Sequence, residues 1–198
     1  MIVNNGHGHP NYSQRNNAIS PERACNVSAA ISALASAGYQ VEDGSPMQPE
    51  DRLMLFIRSS DECKLLWNQL DPKAKVPPEQ WHAVLDLGIN LWIGKNVVRL
   101  SESASPQMIM DHLERGGTGL VSGMFPTTKG HYVAVVGFEG DLGAPTPELW
   151  IINDPWGDYR TRYQNQKGKQ IYMPHADFLE IVKPVKAENK RFHFVRKA

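Results

Sequence analysis

Residues 12–34 read YSQRNNAISPERACNVSAAISAL. The stretch holds one cysteine, Cys25, at the head of an amphipathic run in which Val27, Ile31 and Leu34 recur at helical spacing with alanines between them. Ser20-Pro21-Glu22 ahead of it has the composition of a helix start: a capping hydroxyl, a proline with preset φ, and an acid in the first turn. The pattern therefore places Cys25 in the first turns of a helix, where backbone N–H groups and the positive end of the macrodipole favour thiolate over thiol. The competing reading of a lone cysteine is a small buried apolar residue. This stretch alone weighs the two evenly.

The downstream sequence separates them. Gly130-His131-Tyr132-Val133-Ala134-Val135-Val136-Gly137-Phe138 reads as a strand opened by a histidine, and Leu149-Trp150-Ile151-Ile152-Asn153-Asp154-Pro155 as a second apolar run closed by Asn-Asp-Pro. Residues 139–147, dense in Gly and Pro, join them as the long connection of a hairpin. Antiparallel pairing sets the start of one strand beside the end of the next, so His131 and Asp154 become neighbours. A cysteine on a helix, a histidine at a strand start and an acid to orient it are the parts of a cysteine-nucleophile triad. Strand alternation lets only one of Asn153 and Asp154 face His131.

Gln14, Cys25-Asn26-Val27-Ser28, Gly130-His131-Tyr132-Val133 and Asn153-Asp154-Pro155 with Gly157, in that order, resemble the papain-like cysteine peptidases related to the bacteriocin (double-glycine) leader peptidases, and within them the stand-alone bacterial and phage branch. The resemblance covers about residues 12–157. It implies a papain-like fold with Cys25 as nucleophile, His131 as base, Asp154 in preference to Asn153 as the orienting acid, and Gln14 as an oxyanion donor. The leader peptidases usually carry Asp-Cys-Gly at the nucleophile. Here the residues are Ala24-Cys25-Asn26, which argues against leader-peptide processing.

The chain has 198 residues, 41% hydrophobic and 21% charged, with a formal net charge of zero. That is the composition of a globular domain able to bury its own core. The balanced charge argues against a broad nucleic-acid surface and against attraction to a membrane surface, so neither is expected as a partner. Two cysteines, Cys25 and Cys63, make no disulfide framework. No apolar run reaches membrane-spanning length. MIVNNGHGHPNYSQ has neither a basic nor an apolar signal region, so the expected location is the cytoplasm, or delivery by a non-Sec route such as a phage or secretion system. Residues 1–13 read as an extended N-terminal arm and 14–198 as a single catalytic domain. His7 and His9 in the arm lack the further ligands a metal site needs, so no metal and no cofactor is expected.

Between the motifs, the Cys25 helix should stop at Ala37-Gly38-Tyr39. Glu50–Leu70 reads helical with a break near Ser59-Ser60-Asp61, and Cys63 falls on its apolar face as a core residue. Gln80–Ile93 is a further helix, with His82 among polar neighbours as a surface residue. Residues 96–100 read as a short strand, Ser105-Pro106-Gln107 starts a helix that Gly116-Gly117 stops, and residues 118–124 read as a strand. The loop 126–130 should flank the cleft. Trp150 and Trp156 are expected in the core. Residues 170–173 and 192–195 read as strands, with a short helix over 174–182 between them. The expected fold is α+β, a helical N-terminal half carrying the cysteine against a C-terminal antiparallel sheet carrying His131 and Asp154.

Three functions fit this reading. The first is a thiol hydrolase cleaving a peptide or isopeptide bond in a protein, a peptide or a peptidoglycan stem peptide. The second is an acyl-transfer enzyme on the same triad: an amidase, a deamidase or a transglutaminase-like enzyme. The third is a binding module without activity, against which the intact Cys, His, Asp and Gln set weighs.

Overall fold

The structure is a computed structural model and describes residues 1–127, 130–141, 143–182, 184–186 and 189–198. Thr128 and Lys129, in the loop expected to flank the cleft, lie outside the described residues, as does Leu142 in the hairpin connection.

The chain runs β1 (Ile2–Asn4), α1 (Cys25–Ser36), α2 (Pro49–Ser59), α3 (Asp61–Leu70), α4 (His82–Ile93), β2 (Val98–Ala104), α5 (Pro106–Glu114), β3 (Thr118–Gly123), β4 (His131–Glu139), β5 (Leu149–Asn153), β6 (Ile171–Pro174), α6 (His175–Ile181), β7 (Pro184–Lys186) and β8 (Asn189–Val195). A short 3-10 turn at Gln14–Asn16 precedes α1. The strands pair antiparallel in the order β2-β8-β3-β4-β5-β6, with β7 against β8. β1 pairs with the end of β4, Ile2 opposite Glu139 and Asn4 opposite Gly137, so the extended arm begins as a strand of the sheet.

The helix carrying Cys25 begins later than Ser20-Pro21-Glu22 suggests. Residues 21–24 form a turn, closed by the Arg23 N–H on Ser20 O at 2.9 Å, and Ala24 has ψ near 6° without a capping side chain. Cys25 is thus the first helical residue. Nor is α1 amphipathic in place: Asn26 to Ser36 are all buried, because the helix packs on β4 and β3 on one side and on α2 on the other. Its alanines and serines permit that approach, and the Ser32 hydroxyl accepts the Tyr12 N–H at 2.9 Å. The helix stops as expected. Gly38, at φ +95°, gives its N–H to Ala35 O, and Tyr39 gives its own to Leu34 O, each at 3.0 Å, the Schellman pattern.

Ser60 breaks the next helical run and caps α3 by accepting the Cys63 N–H at 3.3 Å, and Cys63 is fully buried. The sheet separates two cores. Leu120, Ala134 and Ile151 face α1, α2 and α4, whereas Val121, Val133, Val135 and Ile152 face α5 and α6. Both faces being covered, the central strands read as continuous apolar runs. Among the described residues no helix is long and apolar enough to cross a membrane.

One buried carboxylate in α2 fixes the segment between Gln14 and Cys25. Asp51, 1% exposed, accepts the N–H groups of Ala18 (3.0 Å) and Ile19 (3.3 Å). Replacing it with alanine leaves the Ala18 N–H without its acceptor and leaves the Ile19 N–H only Asn17 Oδ1, at 3.1 Å. Asp51→Ala should therefore lose about 1–3 kcal/mol in urea unfolding, whereas the exposed Asp61→Ala should lose little.

Candidate active site

Cys25 is held at the head of α1 by its buried neighbours. Its own side chain is part-exposed at the floor of a cleft of about 390 Å³, which Gln14, His131, Trp156, Arg162 and Tyr163 also line. The Cys25 N–H has no acceptor among the described residues and lies at the positive end of the helix.

His131 opens β4 and is buried. Its Nε2 lies 2.7 Å from Asp154 Oδ1, and Cys25 lines the same cleft, near enough to act on the charge of the ring. The ring is held edge-on by Phe125 at 5.5 Å and by Tyr163 at 6.0 Å between centroids. Burial opposes a charge on His131. The hydrogen bonds and charges of Asp154 and Cys25 outweigh it and raise the imidazole to about 9.

Asp154 follows β5 directly and is fully buried. Its Oδ1 also accepts the Trp156 N–H at 2.9 Å, and its Oδ2 accepts the Tyr163 hydroxyl at 3.3 Å. Burial, reinforced by the Asp154 charge, raises Tyr163 above the usual phenol range and keeps it a donor. The Asp154 N–H bonds Gly168 O at 2.7 Å, and a Cβ at 168 would overlap the Asp154 carbonyl, so only glycine fits there. Asn153 turns the other way, its Oδ1 accepting the Gln170 N–H at 2.8 Å. Alternation thus presents Asp154, not Asn153, to His131.

Gln14 is buried in its 3-10 turn. Its backbone N–H bonds Pro155 O at 3.1 Å, and its Nε2 donates to Pro21 O at 2.7 Å. That bond identifies the donor end of the amide and leaves its second hydrogen for the cleft that Gln14 lines. The structure therefore brings Cys25, His131, Asp154 and Gln14 to one place from four separate elements.

Two expectations change around them, and two cleft residues are new. Trp156 is a part-exposed wall of the cleft and not core, because Arg15 holds it there: the guanidinium lies 4.1 Å from the centre of the indole, and Arg15 Nε donates to Trp156 O at 2.7 Å. Trp150 is in the core as expected. His82 is half-buried and not a surface residue. Its Nδ1 lies 2.7 Å from His193 Nε2 and 3.0 Å from the Tyr132 hydroxyl, and His193 Nδ1 bonds Asp86, one turn after His82 on α4. Burial, then the His193 charge, lowers His82 to about 3. Finally, Arg162 and Tyr163 belong to the cleft and the sequence reading passes over them. Both have positive φ, 51° and 63°, in a stretch without periodicity, so no sequence signal marks them.

No protein-family model and no curated protein matches the chain. Among solved structures it is similar to a crystal structure described as a C39-like peptidase from Bacillus anthracis, with a TM-score of 0.63 and 13% identity over 100% of this chain and 99% of that one. At that identity the likeness is one of fold: a helical half packed on an antiparallel sheet.

Proposed function

We propose that the protein is a thiol hydrolase that cleaves a peptide bond, in a protein, a peptide or a peptidoglycan stem peptide, through an acyl-enzyme on Cys25. The observation that carries this reading is the buried His131–Asp154 contact at 2.7 Å, beside the part-exposed Cys25 in one cleft. In the proposed reaction His131 takes the thiol proton and holds it as an imidazolium, stabilised by Asp154. The thiolate attacks the scissile carbonyl, and the Cys25 N–H and the free hydrogen of Gln14 Nε2 receive the oxyanion. His131 returns the proton to the leaving amine, and a thioester forms as the C–N bond breaks. Water, deprotonated by the same histidine, then hydrolyses the thioester and frees the thiol.

Iodoacetamide at pH 7 should label Cys25 well before Cys63. The thiol of Cys63 is buried, and desolvation raises it above the usual range. Peptide mapping by mass spectrometry reads the order, and equal rates would remove the basis for singling out Cys25.

Hydrolysis is tested by incubating the protein with a peptide library and with intact peptidoglycan. Cys25→Ala should abolish cleavage with thermal stability near that of the wild type, His131→Ala should abolish it and also lower stability because it strands the buried Asp154 carboxylate, and Cys63→Ser should retain activity. Turnover lost in Cys63→Ser with the fold intact would place the nucleophile elsewhere.

Gln14→Ala should lower kcat by roughly 10²-fold. Because the amide meets the oxygen mainly when it is charged, KM and the Cys25 alkylation rate should change little. If alkylation slows in step with turnover, Gln14 positions Cys25 and is not an oxyanion donor.

A further inference from the structure

Most arginines in this chain have a partner. Arg52, Arg58, Arg160 and Arg191 pair with carboxylates, Arg23 lies against Glu22, and Arg15 lies over Trp156. Among the described residues Arg99, Arg115, Arg162 and Arg196 have no side-chain hydrogen bond or ion pair. Arg162 lines the catalytic cleft. The other three converge on one pocket of about 290 Å³ that shares no residue with that cleft.

This convergence comes from three elements. Arg115 caps the C-terminus of α5, Arg99 lies on β2 opposite Phe194 of β8, and Arg196 follows β8 with its N–H on Val97 O at 2.9 Å. Asp111 is the single carboxylate of the lining, set against three guanidinium groups, and its Oδ1 is occupied by Gln107 Nε2 at 2.7 Å. His112 adds no charge. Its Nε2 faces the carbonyls of Thr118 (2.9 Å) and Val195 (2.8 Å), and burial, reinforced by the Arg115 and Arg196 charges, holds the ring below the usual imidazole range. The chain as a whole has zero formal net charge. Three unmatched cations around one cavity are therefore a local arrangement, not the outcome of a general basic excess, and their mutual repulsion is relieved by an anion between them.

We propose that this pocket binds a phosphate-type oxyanion carried on a small organic group. Guanidinium forks match phosphate oxygens in pairs, and three forks present more donors than one carboxylate can accept. Phe194 and Met108, which complete the lining, offer the organic group an apolar surface. The inference does not depend on the proposed peptidase activity.

Isothermal titration of the full chain at low ionic strength, with inorganic phosphate and with phenyl phosphate, tests it. Both should bind, phenyl phosphate several-fold more tightly, and added sodium chloride should weaken both. Arg99→Gln, Arg115→Gln and Arg196→Gln should each weaken binding by roughly 10-fold, a loss of one charge-assisted bond, and the triple variant should abolish it. All three side chains are exposed, so the variants should fold, and Cys25 should alkylate at the wild-type rate. Absence of binding by both probes, or binding unchanged in the triple variant, overturns the site. Equal affinity for the two probes overturns the organic part of the ligand.

Discussion

The 2.7 Å contact between His131 and Asp154 is the constraint that the surrounding structure serves. Both groups are buried, and a buried ionised pair survives only where its geometry is good and its remaining lone pairs are satisfied. Every neighbour of Asp154 meets that demand. Trp156 and Tyr163 donate to its two oxygens, and Gly168 approaches its backbone closely enough to exclude any side chain. The positive-φ pair Arg162 and Tyr163 turns the chain so that the phenol reaches the carboxylate. In the proposed mechanism this support keeps the base oriented before substrate arrives, which is where catalytic preorganisation acts.

Cys25 meets that pair because α1 is clamped between α2 and the sheet, and because residues 11–19 tie the helical side of the cleft to the Asp154 turn. Asn11, Ser13 and Gln14 bond the carbonyls of Asp154 and Pro155, Arg15 bonds that of Trp156, and Asp51 fixes Ala18 and Ile19. The segment that carries the proposed oxyanion donor is therefore also the strap joining the two halves.

Much of this arrangement was legible in the sequence because it rests on local rules. The break at Ser60, the stop at Gly38, the start of α5 at Ser105-Pro106 and the β4–β5 hairpin follow from capping, glycine conformation and two apolar runs joined by a turn-rich connection. What was not legible depends on tertiary contact. The start of α1 at Cys25, four residues after Pro21, follows a turn closed by the Arg23 N–H on Ser20 O, with the Pro21 carbonyl taken by Gln14 from outside the helix. The pairing of Ile2–Asn4 with β4 uses an edge that β3 is too short to cover. His82 reads as a surface residue, yet it is half-buried because His193 and Tyr132 come to it from the sheet. Tyr163 reaches Asp154 from a stretch with no pattern at all.

The central claim is that His131 is a charged imidazole locked between Cys25 and Asp154. An NMR titration of the selectively labelled imidazole measures this directly. The account predicts that His131 stays protonated through neutral pH and loses its proton near pH 9, and that Asp154→Asn moves the midpoint downward. A His131 that titrates at or below the ordinary imidazole value of about 6.5, with no response to Asp154→Asn, would contradict it.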